Sequence, residues 1–190
     1  QHVGPLGVDD RTIRFPLHVP AAPAVDALTK RAGTSGFVLL NPGAAWPNKR
    51  WSPSRFGKVA AALGKTRGVR SVVMWGPDER ALAEYVVAAS EGTAELAPET
   101  RIVDLFALAR AAKLMISGDT GPMHIAGAVG TPIVGLFGPT SAQRNGPWSA
   151  DDEVISRMDH CQCHYERQCR RSNMCLNDIE VDDVVRAAER

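Results

Sequence analysis

Lys113-Leu114-Met115-Ile116-Ser117-Gly118-Asp119-Thr120-Gly121-Pro122-Met123-His124 is the stretch whose reading decides the fold. Its apolar start reads as a buried strand over 113–117, and Gly-Asp-Thr-Gly ends it. Pro122 then stands near the first position of a helix, where the missing N–H would have had no partner anyway. Small residues carry that helix to Val129, and Pro132-Ile133-Val134-Gly135-Leu136-Phe137 forms the next strand, closed by Gly138-Pro139. A strand, a helix and a second apolar strand at this spacing indicate a parallel crossover unit.

The same alternation extends upstream. Phe37-Val38-Leu39-Leu40 is an apolar run stopped by Asn41-Pro42-Gly43, and Ser52-Pro53 opens a helix to Lys65 with Phe56, Val59, Ala60 and Leu63 on one face. Residues 69–75 read as a strand and 78–89 as a helix carrying Leu82, Tyr85, Val86 and Ala89. A short strand over 94–96 and a helix over 103–112 lead into the opening stretch. Beyond it, Val154-Ile155 reads as an edge strand and 179–190 as a terminal amphipathic helix. The strands are apolar throughout rather than alternating, as burial on both faces requires. The expected fold class is α/β, a Rossmann-like parallel sheet with helices on both faces.

Residues 1–20 hold three Pro and two Gly with no clear period, so 1–33 is expected to be an interdomain linker and entry segment, and 34–190 the domain. Formal net charge is +1, without the basic excess that a nucleic-acid surface usually carries, so no nucleic-acid partner is expected. No apolar run approaches the roughly 18 residues of a membrane span, and the expected location is cytoplasmic.

In such a sheet, ligands bind beyond the carboxyl ends of the strands. Four loops leave those ends: 41–51, 75–79, 117–122 and 137–140. At the third, the N–H groups of Thr120 and Gly121 point out of a helix N-terminus, a geometry suited to phosphate. Asp119 or Thr120 acting only as a helix cap is the competing reading. Neither the dinucleotide glycine fingerprint nor a Walker lysine motif is present. Lys49 and Arg50 stand either as a solvated surface pair or as cations facing a diphosphate. Trp46 and Trp51 in the same loop argue against full exposure. Glu79 either complements a helix dipole or accepts hydrogen bonds from a ribose. His124, alone on a helix of small residues, reads as structural from its surroundings.

Cys161, Cys163, Cys169 and Cys175 fall within a short span with His160 and His164 among them. Clustered cysteines in a cytoplasmic protein suggest metal before disulfides, but C-x-C-x5-C-x5-C is not the paired C-x2-C of a zinc ribbon. Free or oxidised thiols are favoured, with a zinc site on these four as the alternative.

Taken together, NPGAAWPNKRW (41–51), DLFALARAAKLMISGDTGPMHIAGAVGTPIVGLFGPT (104–140) and CQCHYERQC…CLNDIEVDDVV (161–185) resemble glycosyltransferase family 9, the heptosyltransferase type. The combination D-T-G-x-x-H, A-x-G-T-P and F-G-P-T is specific, and the resemblance covers roughly residues 36–190. It implies the C-terminal, donor-binding half of a two-domain GT-B enzyme. The implied reaction is inverting transfer of heptose from ADP-heptose to the lipopolysaccharide inner core. By the same resemblance Lys49 meets donor phosphate, Asp119, Thr120 and Gly121 meet the sugar and diphosphate, and Glu79 the ribose. Thr100 to Ile102 would lie at the adenine, and His124 beside the diphosphate. No catalytic residue is expected here: the base, and contact with the lipid A–core acceptor, belong to an N-terminal half that this sequence does not match. No cofactor is required by this scheme, and association with the inner membrane is peripheral at most. Ala44 and Ala45 replace hydroxyl residues of some members, leaving only backbone contacts there. Two rival readings stay open, a GT-B transferase of another nucleotide-sugar and a non-catalytic nucleotide-sugar-binding module.

Overall fold

The computed structural model describes residues 15–190. Strands β1 (Phe37–Asn41), β2 (Arg70–Val73), β3 (Ala94–Leu96), β4 (Leu114–Gly118), β5 (Ile133–Phe137) and β6 (Glu153–Ser156) form one sheet in the order β3-β2-β1-β4-β5-β6. Every pairing is parallel, for example Leu39 against both Val72 and Met115. This is a Rossmann-like α/β sheet, as the apolar strand runs require.

Alternation along each strand divides the core in two. Phe37, Leu39, Met115 and Ile133 face one side, where they pack with helices α1 (Pro23–Ala32), α4 (Ile102–Ala111) and α5 (Gly121–Ala128). Val38, Leu40, Ile116 and Val134 face the other, against α2 (Pro53–Arg67), α3 (Arg80–Ala88) and α7 (Val181–Ala188). A single turn, α6 (Ala142–Asn145), follows β5. The edge strand β6 alternates in exposure, consistent with having one neighbour only.

Part of the segment read as linker folds as α1. Pro23 occupies its first turn, Asp26 and the pair Lys30 and Arg31 complement its dipole, and Val25 and Leu28 are buried against α4. The helix expected from 78 begins only at Arg80, because Asp78 takes a left-handed backbone conformation (φ 63°) that no helix admits. The terminal helix is likewise shorter than expected: a 3-10 turn over Cys175–Asp178 precedes α7.

Candidate functional site

The strand order reverses between β1 and β4, and the loops leaving those strands diverge to open a crevice at the carboxyl edge of the sheet. The cleft there has a volume of about 540 Å³ and is lined by Lys49, Glu79, Thr100, Asp119, Thr120 and Gly121, together with Trp46, Trp75, Ile102 and others. Loops 41–51, 75–79 and 117–122 therefore meet in one place, joined there by the segment Thr100 to Ile102, whereas no residue of loop 137–140 lines the cleft. A larger cavity, about 730 Å³, lies among the strand starts at Val38, Leu114 and Ile133 and collects none of these residues.

Asp119 is the centre of the site. Its Oδ2 accepts three hydrogen bonds, from Lys49 Nζ (2.7 Å), Thr140 Oγ1 (2.7 Å) and Asn145 Nδ2 (3.1 Å). Only 6% of its side chain and 15% of that of Lys49 reach solvent, so the ion pair is shielded. Burial pushes the carboxyl pKa up, but the hydrogen bonds from Lys49, Thr140 and Asn145 and the ammonium charge outweigh it, and Asp119 is held below the ordinary carboxylate range. Oδ1 has His124 Nε2 at 3.6 Å as its polar neighbour. His124 is half-exposed and does not line the cleft itself.

Lys49 reaches Asp119 because its turn is forced close to the end of β4. A Cβ on Gly118 would lie 2.9 Å from the Lys49 carbonyl oxygen, so a side chain there would push the turn away. The Lys49 ammonium also lies 4.5 Å from the centroid of the Trp46 ring, a cation–π contact. Lys49 is thus no solvated surface cation but is shielded and paired with Asp119.

The capping alternative fails. No side chain caps α5; the Thr120 hydroxyl instead accepts from Asn41 Nδ2 (2.9 Å) and sits 3.2 Å from Ser117 Oγ, while the Asp119 carboxylate turns to Lys49. The N-terminal N–H groups of α5 thus carry no side-chain cap, at the positive end of the helix dipole. On the adjacent loops, Glu79 Oε2 accepts from the Gly76 N–H at 3.2 Å. A Cβ on Gly43 would lie 2.2 Å from that same oxygen, so the carboxylate fits only because residue 43 has no side chain. Met74, Trp75, Ile102 and Leu105 give the far wall an apolar character, and Ile102 is 76% exposed there.

Three functional positions escaped the sequence reading. Thr140 ends the F-G-P-T string and Asn145 ends α6, yet both converge on Asp119; Asn41, in the first loop, fixes Thr120. The cysteines form a separate cluster, none of them lining the cleft. Cys161, Cys163 and Cys175 are buried, Cys161 Sγ and Cys163 Sγ are 3.4 Å apart, and all four are free thiols. Among the described residues no group of three or more His, Cys, Asp or Glu side chains is arranged to hold a metal ion, so the zinc alternative finds no formed site.

The model of glycosyltransferase family 9 (heptosyltransferase) matches residues 8–175. Lipopolysaccharide heptosyltransferase 3 of Escherichia coli is 31% identical over 195 residues, which span 98% of this chain and 56% of that protein. A solved family 9 glycosyl transferase from Veillonella parvula superposes with a TM-score of 0.79 at 28% identity, covering 98% of this chain and 56% of its own. The Escherichia coli ADP-heptose lipopolysaccharide heptosyltransferase II shares the fold, with a TM-score of 0.72 at 21% identity over 95% of this chain and 54% of its own. The chain spans about half the length of the relatives it matches.

Proposed function

The chain belongs to glycosyltransferase family 9, the heptosyltransferase family, and on that premise we propose that it is the donor-binding half of a GT-B enzyme that moves heptose from ADP-heptose to the lipopolysaccharide inner core. The observation that carries this reading is the uncapped N-terminus of α5 standing in the same cleft as the Lys49–Asp119 pair. A diphosphate seated there meets backbone N–H donors, the helix dipole and an ammonium already held in place. The ribose lies at Glu79 and the base against Trp75 and the segment Thr100 to Ile102. The sugar lies over Asp119, whose Oδ1 is free to accept from hydroxyl groups.

This arrangement favours the departing diphosphate. Negative charge grows on it as the anomeric bond breaks, and donors fixed beforehand stabilise that charge without reorganising. The hydrogen bonds from Lys49, Thr140 and Asn145 hold the Asp119 pKa down, which makes it a poor proton acceptor. The base that activates the acceptor hydroxyl, and the acceptor contacts, belong in this proposal to the partner half of the enzyme.

A thermal-shift series with ADP-, UDP- and GDP-linked sugars tests the reading. At a hundredfold excess over Kd, a ligand specific for the folded state adds about 2.7 kcal/mol of stability. The expected result is that ADP-heptose raises the melting temperature and that the raise disappears in Lys49→Ala. Equal effects of all three nucleotides, or none, would remove the ADP-heptose assignment.

A further inference from the structure

The cysteine-rich segment does more than pack. It touches both loops that supply the donors to Asp119. Tyr165 N–H donates to the Pro139 carbonyl (2.9 Å), one residue before Thr140, and Tyr165 is held in a left-handed conformation (φ 58°) to do so. On the other side, Asn48 sits in the 3-10 turn Pro47–Lys49, immediately before Lys49. The residue is buried, 2% exposed. Asn48 Nδ2 donates to the Glu166 carbonyl at 2.7 Å and approaches Cys163 Sγ at 3.7 Å. Asn48 Oδ1 is buried without a hydrogen-bond partner among the described residues, an unrepaid cost of keeping an amide here.

We infer that Asn48 is the positioning residue for Lys49: its buried amide fastens the 47–49 turn to the cysteine-rich segment and thereby fixes the ammonium over the diphosphate position. The inference rests on the reading of the cleft as a nucleoside-diphosphate site. It separates two classes of effect. Loss of the fastening loosens the turn that carries Lys49, while the nucleoside wall at Trp75, Thr100 and Ile102 comes from other loops and stays in place.

The test is calorimetric titration of the protein with ADP and with adenosine. Asn48→Ala is expected to weaken ADP about tenfold, the scale of one well-placed hydrogen bond to a charge, and to leave adenosine within about twofold. In a Lys49→Ala background, Asn48→Ala is expected to change ADP affinity by less than about twofold, because its effect runs through Lys49. Equal losses for ADP and adenosine, or full additivity with Lys49→Ala, would overturn the inference and leave Asn48 a general packing residue. If Asn48→Ala does not fold, Asn48→Ser and Cys163→Ala disturb the same fastening and are judged by the same two comparisons. Absence of ADP binding by the unaltered protein would instead remove the donor-site reading and the inference with it, whereas ADP binding that survives Asn48→Ala unchanged removes the inference alone.

Discussion

Removing the Asp119 carboxylate should cost far more than an average polar substitution. In Asp119→Ala the Lys49 ammonium, 15% exposed, stays shielded with its counter-ion gone, and Thr140 Oγ1 and Asn145 Nδ2 lose the acceptor they share. Breaking one side of a shielded pair leaves an uncompensated charge, worth about 3–5 kcal/mol. At this chain length each kcal/mol moves the melting temperature by roughly 2–4 °C, so a fall of about 6–20 °C is expected. Urea denaturation followed by circular dichroism measures the free energy directly. The double variant Lys49→Met, Asp119→Ala removes the stranded charge along with its partner and should recover at least about 2 kcal/mol relative to the sum of the single losses. A loss below about 1 kcal/mol in Asp119→Ala, or strict additivity in the double variant, would show that the pair is solvated and that Asp119 does not organise the site.

Three further expectations follow from the same geometry. Gly43→Ala would bring a Cβ within 2.2 Å of Glu79 Oε2 and displace the carboxylate from the Gly76 N–H; ADP should bind about tenfold more weakly, while 2′,3′-dideoxy-ADP should change by less than about twofold. If both ligands weaken alike, Glu79 does not read the ribose. Because the folded state lowers the Asp119 pKa, its stabilising contribution is complete above the unfolded carboxylate value of about 3.9 and is lost as pH falls through the lower folded value. The stability gap between the parent and Asp119→Ala should therefore be flat from about pH 5 to 8 and shrink below about pH 4, and a gap that widens on acidification would reverse the sign of the effect. Burial pushes the Cys161 and Cys175 thiols up, and Cys169 is the half-exposed member of the cluster, so a thiol reagent at neutral pH should label Cys169 first and the other three only on unfolding. Fast labelling of three or four thiols in the folded protein would contradict that burial.

What the sequence made legible was whatever local chemistry dictates. The uninterrupted apolar runs at 37–40 and 114–116, each stopped by a glycine-containing turn, read as strands buried on both faces, and they form β1 and β4, between which the switch point lies. Loops 41–51 and 117–122 then had to meet, and they do. Helix α1 was masked by Pro16, Pro20 and Pro23, although Pro23 suits a first turn and Val25, Leu28 and Ala32 repeat at helical spacing. The pairing of Lys49 with Asp119 joins residues 70 apart, and Thr140 and Asn145 arrive from 21 and 26 residues further along. Such convergence depends on how the loops fold back, which no periodicity encodes. Fold-back also conceals Asn48: in sequence it is a polar loop residue, and only its burial beside Cys163 and Glu166 shows what its amide holds.

The most direct test of the central claim is a crystal structure of the protein with ADP. The diphosphate is expected at the N-terminus of α5, with oxygens in hydrogen-bond reach of the Gly121 N–H and Lys49 Nζ, the ribose at Glu79 and the base beside Trp75 and Ile102. ADP seated instead in the larger cavity among Val38, Leu114 and Ile133, or in the cleft with its phosphates turned away from α5, would contradict it.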